Sequence, residues 1–134
     1  LDIWWRGKQV NGDLMLLLGH LLTLNTDWKD SKIRLRTITP KAEGNRETVL
    51  KSLKELVGEV RIPAEIEVLE SDESTNVFGL MADYSRDADL VFLGLNIPEK
   101  EGIEAYAATL FDLGSRFRNV VFVRNAGKFA GELI

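Results

Sequence analysis

The sequence has no cysteine and one histidine, His20. Without cysteine there is no disulfide frame, no thiol nucleophile and no cysteine-based zinc site. A lone His20 could bind zinc only with carboxylates beside it, and it reads as a satisfied or half-buried histidine. Three prolines punctuate the 134 residues, and no low-complexity segment or internal repeat is present. The longest apolar run, Leu14 to Leu24, is broken by Gly19, His20 and Thr23, well short of the ~20 residues of a membrane span. No charged n-region precedes an apolar core after Leu1, so no secretory signal is expected in the chain. Basic charge is scarce too. A net charge of −4 and a pI near 5.1 argue against a nucleic-acid partner, whose backbone is met by clustered Lys and Arg.

The common chemical signatures are also missing. There is no Gly-x-Gly-x-x-Gly and no Gly-Lys-Ser/Thr phosphate loop. Gly-x-Ser-x-Gly, the His-Glu-x-x-His helix and the EF-hand loop are absent as well. Carboxylates gather at Glu70, Asp72 and Glu73 and at Glu99, Glu101 and Glu104, where helices are expected to begin. Compensation of the helix dipole accounts for both groups without a metal. No catalytic residue, metal or cofactor is therefore expected, and the chain does not read as an enzyme.

What remains is a regular alternation of strand and helix patterns. Asp2 to Trp5 reads as a short strand, followed by a turn and helix cap at Asn11-Gly12-Asp13. Ile33 to Ile38 alternates apolar residues with Arg34, Arg36 and Thr37, as a strand with one wetter face would. Val49, Leu50, Leu53, Leu56, Val57 and Val60 recur at helical spacing. Ala64 to Leu69 is a third strand. Ser71 to Ser74 offers capping residues for a helix along Val77, Leu80, Met81 and Tyr84. Asp89 to Leu95 is nearly all apolar, as a strand buried on both faces is. Ile103, Tyr106, Ala107, Leu110 and Gly114 mark a fourth helix, and Asn119 to Arg124 a fifth strand. Residues 1-134 thus form one doubly wound α/β domain, a five-stranded parallel sheet of order 3-2-1-4-5 with helices on both faces.

In that order ligands bind beyond the carboxyl ends of the first and fourth strands. The loop there runs from Arg6 to Gly12, and Arg6, Lys8, Asn11 and Gly12 form a candidate anion site before a helix N-terminus. A solvated loop or a basic patch facing a partner fits the same residues. The first helix poses a second question. Leu14, Leu17, Leu18, Leu21 and Leu22, extended by Met15, form a stripe wide enough to cover a sheet, while Leu16 falls outside it beside His20. That surplus is either buried by a loop or tail, or is a docking face. Val121, Val123 and Arg124 on the expected edge strand are further interface candidates, since exposed edges pair readily.

Three blocks carry a family resemblance. Asp2-Ile3-Trp4-Trp5 with the leucine-rich helix and Trp28-Lys29-Asp30-Ser31-Lys32-Ile33-Arg34 resembles the C-terminal cytosolic domain of cation–chloride cotransporters. Leu90 to Pro98 is similar to that domain's fourth strand and loop, and Asn119 to Gly127 to its last strand. The resemblance implies a universal-stress-protein-like fold and a non-catalytic regulatory and assembly domain on the cytoplasmic side of the cell membrane. Its implied partners are the transmembrane domain of the same transporter and a second copy in a homodimer. Nucleotide-binding universal stress proteins carry Gly-x₂-Gly-x₉-Gly-Ser/Thr after the fourth strand. After Gly94 this chain has Ile97 at the second glycine and an acidic Pro98-Glu99-Lys100-Glu101 stretch, so ATP held in the usual manner is not expected. A universal-stress-protein-like domain binding an anion or nucleotide remains the alternative.

Overall fold

A computed structural model describes residues 1–6 and 11–126. Its elements run β1 (Asp2–Trp5), α1 (Gly12–Thr23), β2 (Arg34–Pro40), α2 (Arg46–Val60), β3 (Glu65–Ser71), α3 (Val77–Tyr84), β4 (Val91–Gly94), α4 (Ile103–Arg116) and β5 (Val120–Val123). The strands form one sheet of order β3-β2-β1-β4-β5, and every pairing is parallel. β1 lies at the centre, with Ile3 opposite Leu35 of β2 and Phe92 of β4.

Alternation along β1 sends its two indoles to opposite faces. Trp5 joins Ile3, Leu35 and Phe92 beneath Met15 and Leu16 of α1 and Leu53 of α2. Trp4 joins Val91 and Leu93 beneath Met81 of α3, Leu113 of α4 and Phe117. Each face is covered by two helices, so the short central strands are apolar almost throughout, as in other doubly covered parallel sheets.

The orientation of α1 differs from the leucine stripe. Gly12, Met15, Leu16 and Gly19 face the sheet, at spacings of three and four residues. The two glycines set this contact. A Cβ on Gly12 would lie 2.5 Å from the Trp5 ring, and one on Gly19 3.3 Å from Ile3 Cδ1. The helix packs closest where side chains are absent. Leu16, expected on a docking face, is 0% exposed and belongs to the core. Leu14, Leu18 and Leu22 pack at the margins of that core, whereas Leu21 is 52% and Leu24 68% exposed. The surplus of leucine is real, but Leu21 and Leu24 carry it.

Local capping differs as well. Asn76, not the Ser71–Ser74 stretch, caps α3, its side chain accepting from the Gly79 N–H at 3.0 Å. Asp72 instead closes its own turn, accepting from the Ser74 and Thr75 hydroxyls at 2.6 and 3.0 Å. α2 ends at Arg61, which takes a left-handed conformation at φ 55°. Val123 is buried at the core end of β5, which removes it from any edge surface. Val121 and Arg124 are exposed, and β5 is an outer strand of the sheet.

Candidate functional site

The chain reverses its winding between β1 and β4, and a cavity of about 320 Å³ opens beyond their carboxyl ends. Trp4, Phe78, Tyr106 and Phe122 supply aromatic walls, with Met15, Met81 and Leu93 between them. Arg6, Asn96 and Thr109 bring the polar groups. Crevices at such switch points are the usual ligand positions in open α/β sheets.

Of the four residues expected to hold an anion, Arg6, Asn11 and Gly12 line this cavity, and Lys8 lies outside the described residues. Asn11 and Gly12 also have structural contacts of their own. Asn11 stands at the N-cap of α1 without making the cap bond. Its Nδ2 donates to the Leu95 carbonyl at 2.8 Å, and its Oδ1 accepts from the Asn125 N–H at 2.7 Å. One side chain thus fastens the start of α1 to the ends of β4 and β5. A Cβ on Gly94 would come within 3.0 Å of Asn11 Nδ2, so glycine there leaves room for the bridge. Gly12 is required by the Trp5 ring, which a Cβ would meet at 2.5 Å. Asp13, buried in the first turn, has its carboxyl pushed up by desolvation. When ionised it compensates the helix dipole that an anion would otherwise answer.

The first two amides after β4 are occupied. The Leu95 N–H donates to the Val123 carbonyl at 2.7 Å. The Asn96 N–H donates to the Tyr106 hydroxyl at 2.8 Å, so the side chain of α4 meets a loop amide that a phosphate cradle would present. Among the described residues, no group of three His, Cys, Asp or Glu side chains could hold a metal ion.

Beneath the cavity lies a network that the alternation of Arg34 and Arg36 disguised as a wet face. Asp2 is 0% exposed. It accepts from Arg34 Nη2 at 3.0 Å, Arg36 Nη1 at 2.8 Å and Ser85 Oγ at 2.6 Å, and from Arg34 Nε. Ser85 in turn accepts from Trp4 Nε1 at 2.9 Å, tying the cavity floor to the charges. Arg36 is buried and also reaches Glu67 at 2.8 Å, donates to the Tyr84 carbonyl and lies 5.5 Å from the Tyr84 ring centroid. Arg34 continues to Asp87 at 2.9 Å. Its guanidinium is driven further up by Asp87 and Asp2 against the opposing effect of burial, while Arg34 holds the Asp87 carboxyl below its usual value. The network clamps the end of α3 to the sheet.

His20 lies elsewhere, in a cleft with Lys29, Lys32, Val57, Pro63 and Glu65. Tyr106, Asn96, Thr109 and Phe78 line the cavity without having been expected there. Tyr106 offered a signal only through its helical spacing, which marks core and cavity wall alike.

No protein-family model matches the chain, and no curated protein matches it. Among solved structures, the fold is similar to that of a universal stress protein in complex with cAMP. That likeness has a TM-score of 0.64 and covers 93% of this chain and 95% of the other, at 12% sequence identity. The chain has a universal-stress-protein-like fold. At that identity the likeness speaks for architecture, and function rests on the site itself. No helix among the described residues is long and apolar enough to cross a membrane.

Proposed function

We propose that this chain is the non-catalytic C-terminal regulatory and assembly domain of a cation–chloride cotransporter, on the cytoplasmic side of the membrane. One observation carries the reading. The blocks that resemble that family's domain fall, in order, on β1 with α1, on β4 with its loop and on β5, within the fold the resemblance implied. Apolar surface left outside the core supports an assembly role. Leu21 and Leu24 continue α1, and Ile103, Ala107 and Phe111 form an outward stripe on α4, with Phe111 83% exposed. Exposed apolar surface of this kind marks contact sites, here for the transmembrane part or a second copy. Light scattering over a concentration series tests self-association. A mass rising toward twice that of the monomer supports it, and a strict monomer at the highest attainable concentration counts against it.

The cavity favours a second reading, a regulatory domain that binds a nucleotide-class ligand. The universal stress protein of similar fold was solved with cAMP, and this chain has a cavity at its own switch point. Calorimetric titration with ATP, AMP and cyclic nucleotides tests it. Micromolar binding supports a ligand role, its loss in Arg6→Ala ties it to the cavity, and absence of heat with all of these and with adenosine refutes it.

A further inference from the structure

We propose that the switch-point cavity selects an uncharged heteroaromatic ring of the nucleoside class and rejects its phosphorylated forms, with Tyr106 setting that selection. This deepens the ligand-binding reading above and rests on it. Size points first to a compact ligand. A cavity of about 320 Å³ lies at the lower end of the roughly 300–1,000 Å³ range of ligand pockets.

The walls point to a flat ring. Trp4, Phe78, Tyr106 and Phe122 surround the space, and aromatic faces stack on any base. Asn96 on the lining provides a neutral donor and acceptor for ring heteroatoms, while Thr109, whose hydroxyl donates to the Ala105 carbonyl, can only accept. Arg6 also lines the cavity but is exposed, where solvent and salt weaken its attraction for an anion.

Phosphate recognition by such folds needs loop or helix N–H groups pointing at the anion. Here the first two amides after β4 are taken, Leu95 by Val123 and Asn96 by the Tyr106 hydroxyl at 2.8 Å. Tyr106 Oη stands where a phosphate oxygen would accept. The same loop is net acidic, with Glu99 and Glu101 against Lys100, and α1 opens with the buried acid Asp13. A phosphate on this loop would have to displace Tyr106 and would gain no free amide from Leu95. A neutral ring asks for neither change.

Titration calorimetry of the wild-type domain and of Tyr106→Phe with adenosine, AMP and ATP tests this, with circular dichroism confirming that the variant is folded. The wild type is expected to bind adenosine at least about tenfold more tightly than AMP or ATP, the scale of a lost hydrogen bond to a charged group. Tyr106→Phe, which frees the Asn96 amide, is expected to narrow that ratio by improving AMP binding. AMP or ATP binding as tightly as adenosine overturns the selection and leaves the ligand-binding reading standing. An unchanged ratio in Tyr106→Phe removes Tyr106 from the selection. Failure of all three ligands to bind overturns this inference together with the ligand-binding reading.

Discussion

Asp2→Ala is expected to destabilise the domain by about 3 kcal/mol, because it strips a buried ion network of its central carboxylate. Removing one partner of a buried ion pair costs roughly 3–5 kcal/mol, mostly through the charge left behind. Two features pull the value to the lower end. Arg34 is partly exposed and keeps Asp87 at 2.9 Å, and Arg36 keeps Glu67 at 2.8 Å. The loss would still be a large share of the about 5–15 kcal/mol that holds a typical domain together. Urea unfolding followed by tryptophan fluorescence gives the value directly, since Trp4 is bonded to the network through Ser85. The pair Asp2→Leu with Arg36→Met removes both central charges, and apolar replacement of a buried pair is close to neutral. The double variant is therefore expected to recover at least half of the Asp2→Ala loss, a coupling that a double-mutant cycle measures. A cost under about 1 kcal/mol for Asp2→Ala, or purely additive losses in the double variant, would contradict a stabilising buried ion network at Asp2.

Other perturbations report on the packing around the site. Gly12→Ala would place a Cβ 2.5 Å from the Trp5 ring, and overpacking of this kind is expected to cost about 1–3 kcal/mol in urea unfolding. Asn11→Ala breaks bonds to Leu95 and Asn125 and is expected to lose about 1–3 kcal/mol, with faster amide exchange at Asn125 as the local sign. Arg61→Gly relieves a left-handed residue at the end of α2 and is expected to raise stability by up to about 1 kcal/mol. Acid should weaken the Arg34–Asp87 contact. Asp87 has its carboxyl lowered from 3.8, so its contribution is present above that unfolded value and is lost as pH falls through the depressed folded value. Wild-type melting temperature should therefore fall more steeply below about pH 4 than that of Asp87→Asn.

The architecture was legible because each central strand announced itself. Val91, Phe92 and Leu93 form an unbroken apolar run, and β2 and β3 alternate as paired strands do, so the parallel sheet and its order followed from chain connectivity. The rotation of α1 was not legible. Counting leucines placed the stripe where side chains were largest, whereas the sheet is met along Gly12, Met15, Leu16 and Gly19, where backbone approach is easiest. Arg36 misled for a related reason. A strand arginine normally marks solvent, and its partner Asp2 lies on the neighbouring strand β1, too short to show a polar pattern. The cavity's place followed from the strand order. Its chemistry did not, because Tyr106 reaches Asn96 from the next helix, a tertiary contact that no local spacing encodes.

The proposed place of this domain in a membrane cotransporter is tested most directly by the coding sequence upstream of Leu1. Several apolar spans of ~20 residues each, one after another, are expected ahead of this domain. A start codon immediately before Leu1, with no such spans, would contradict it.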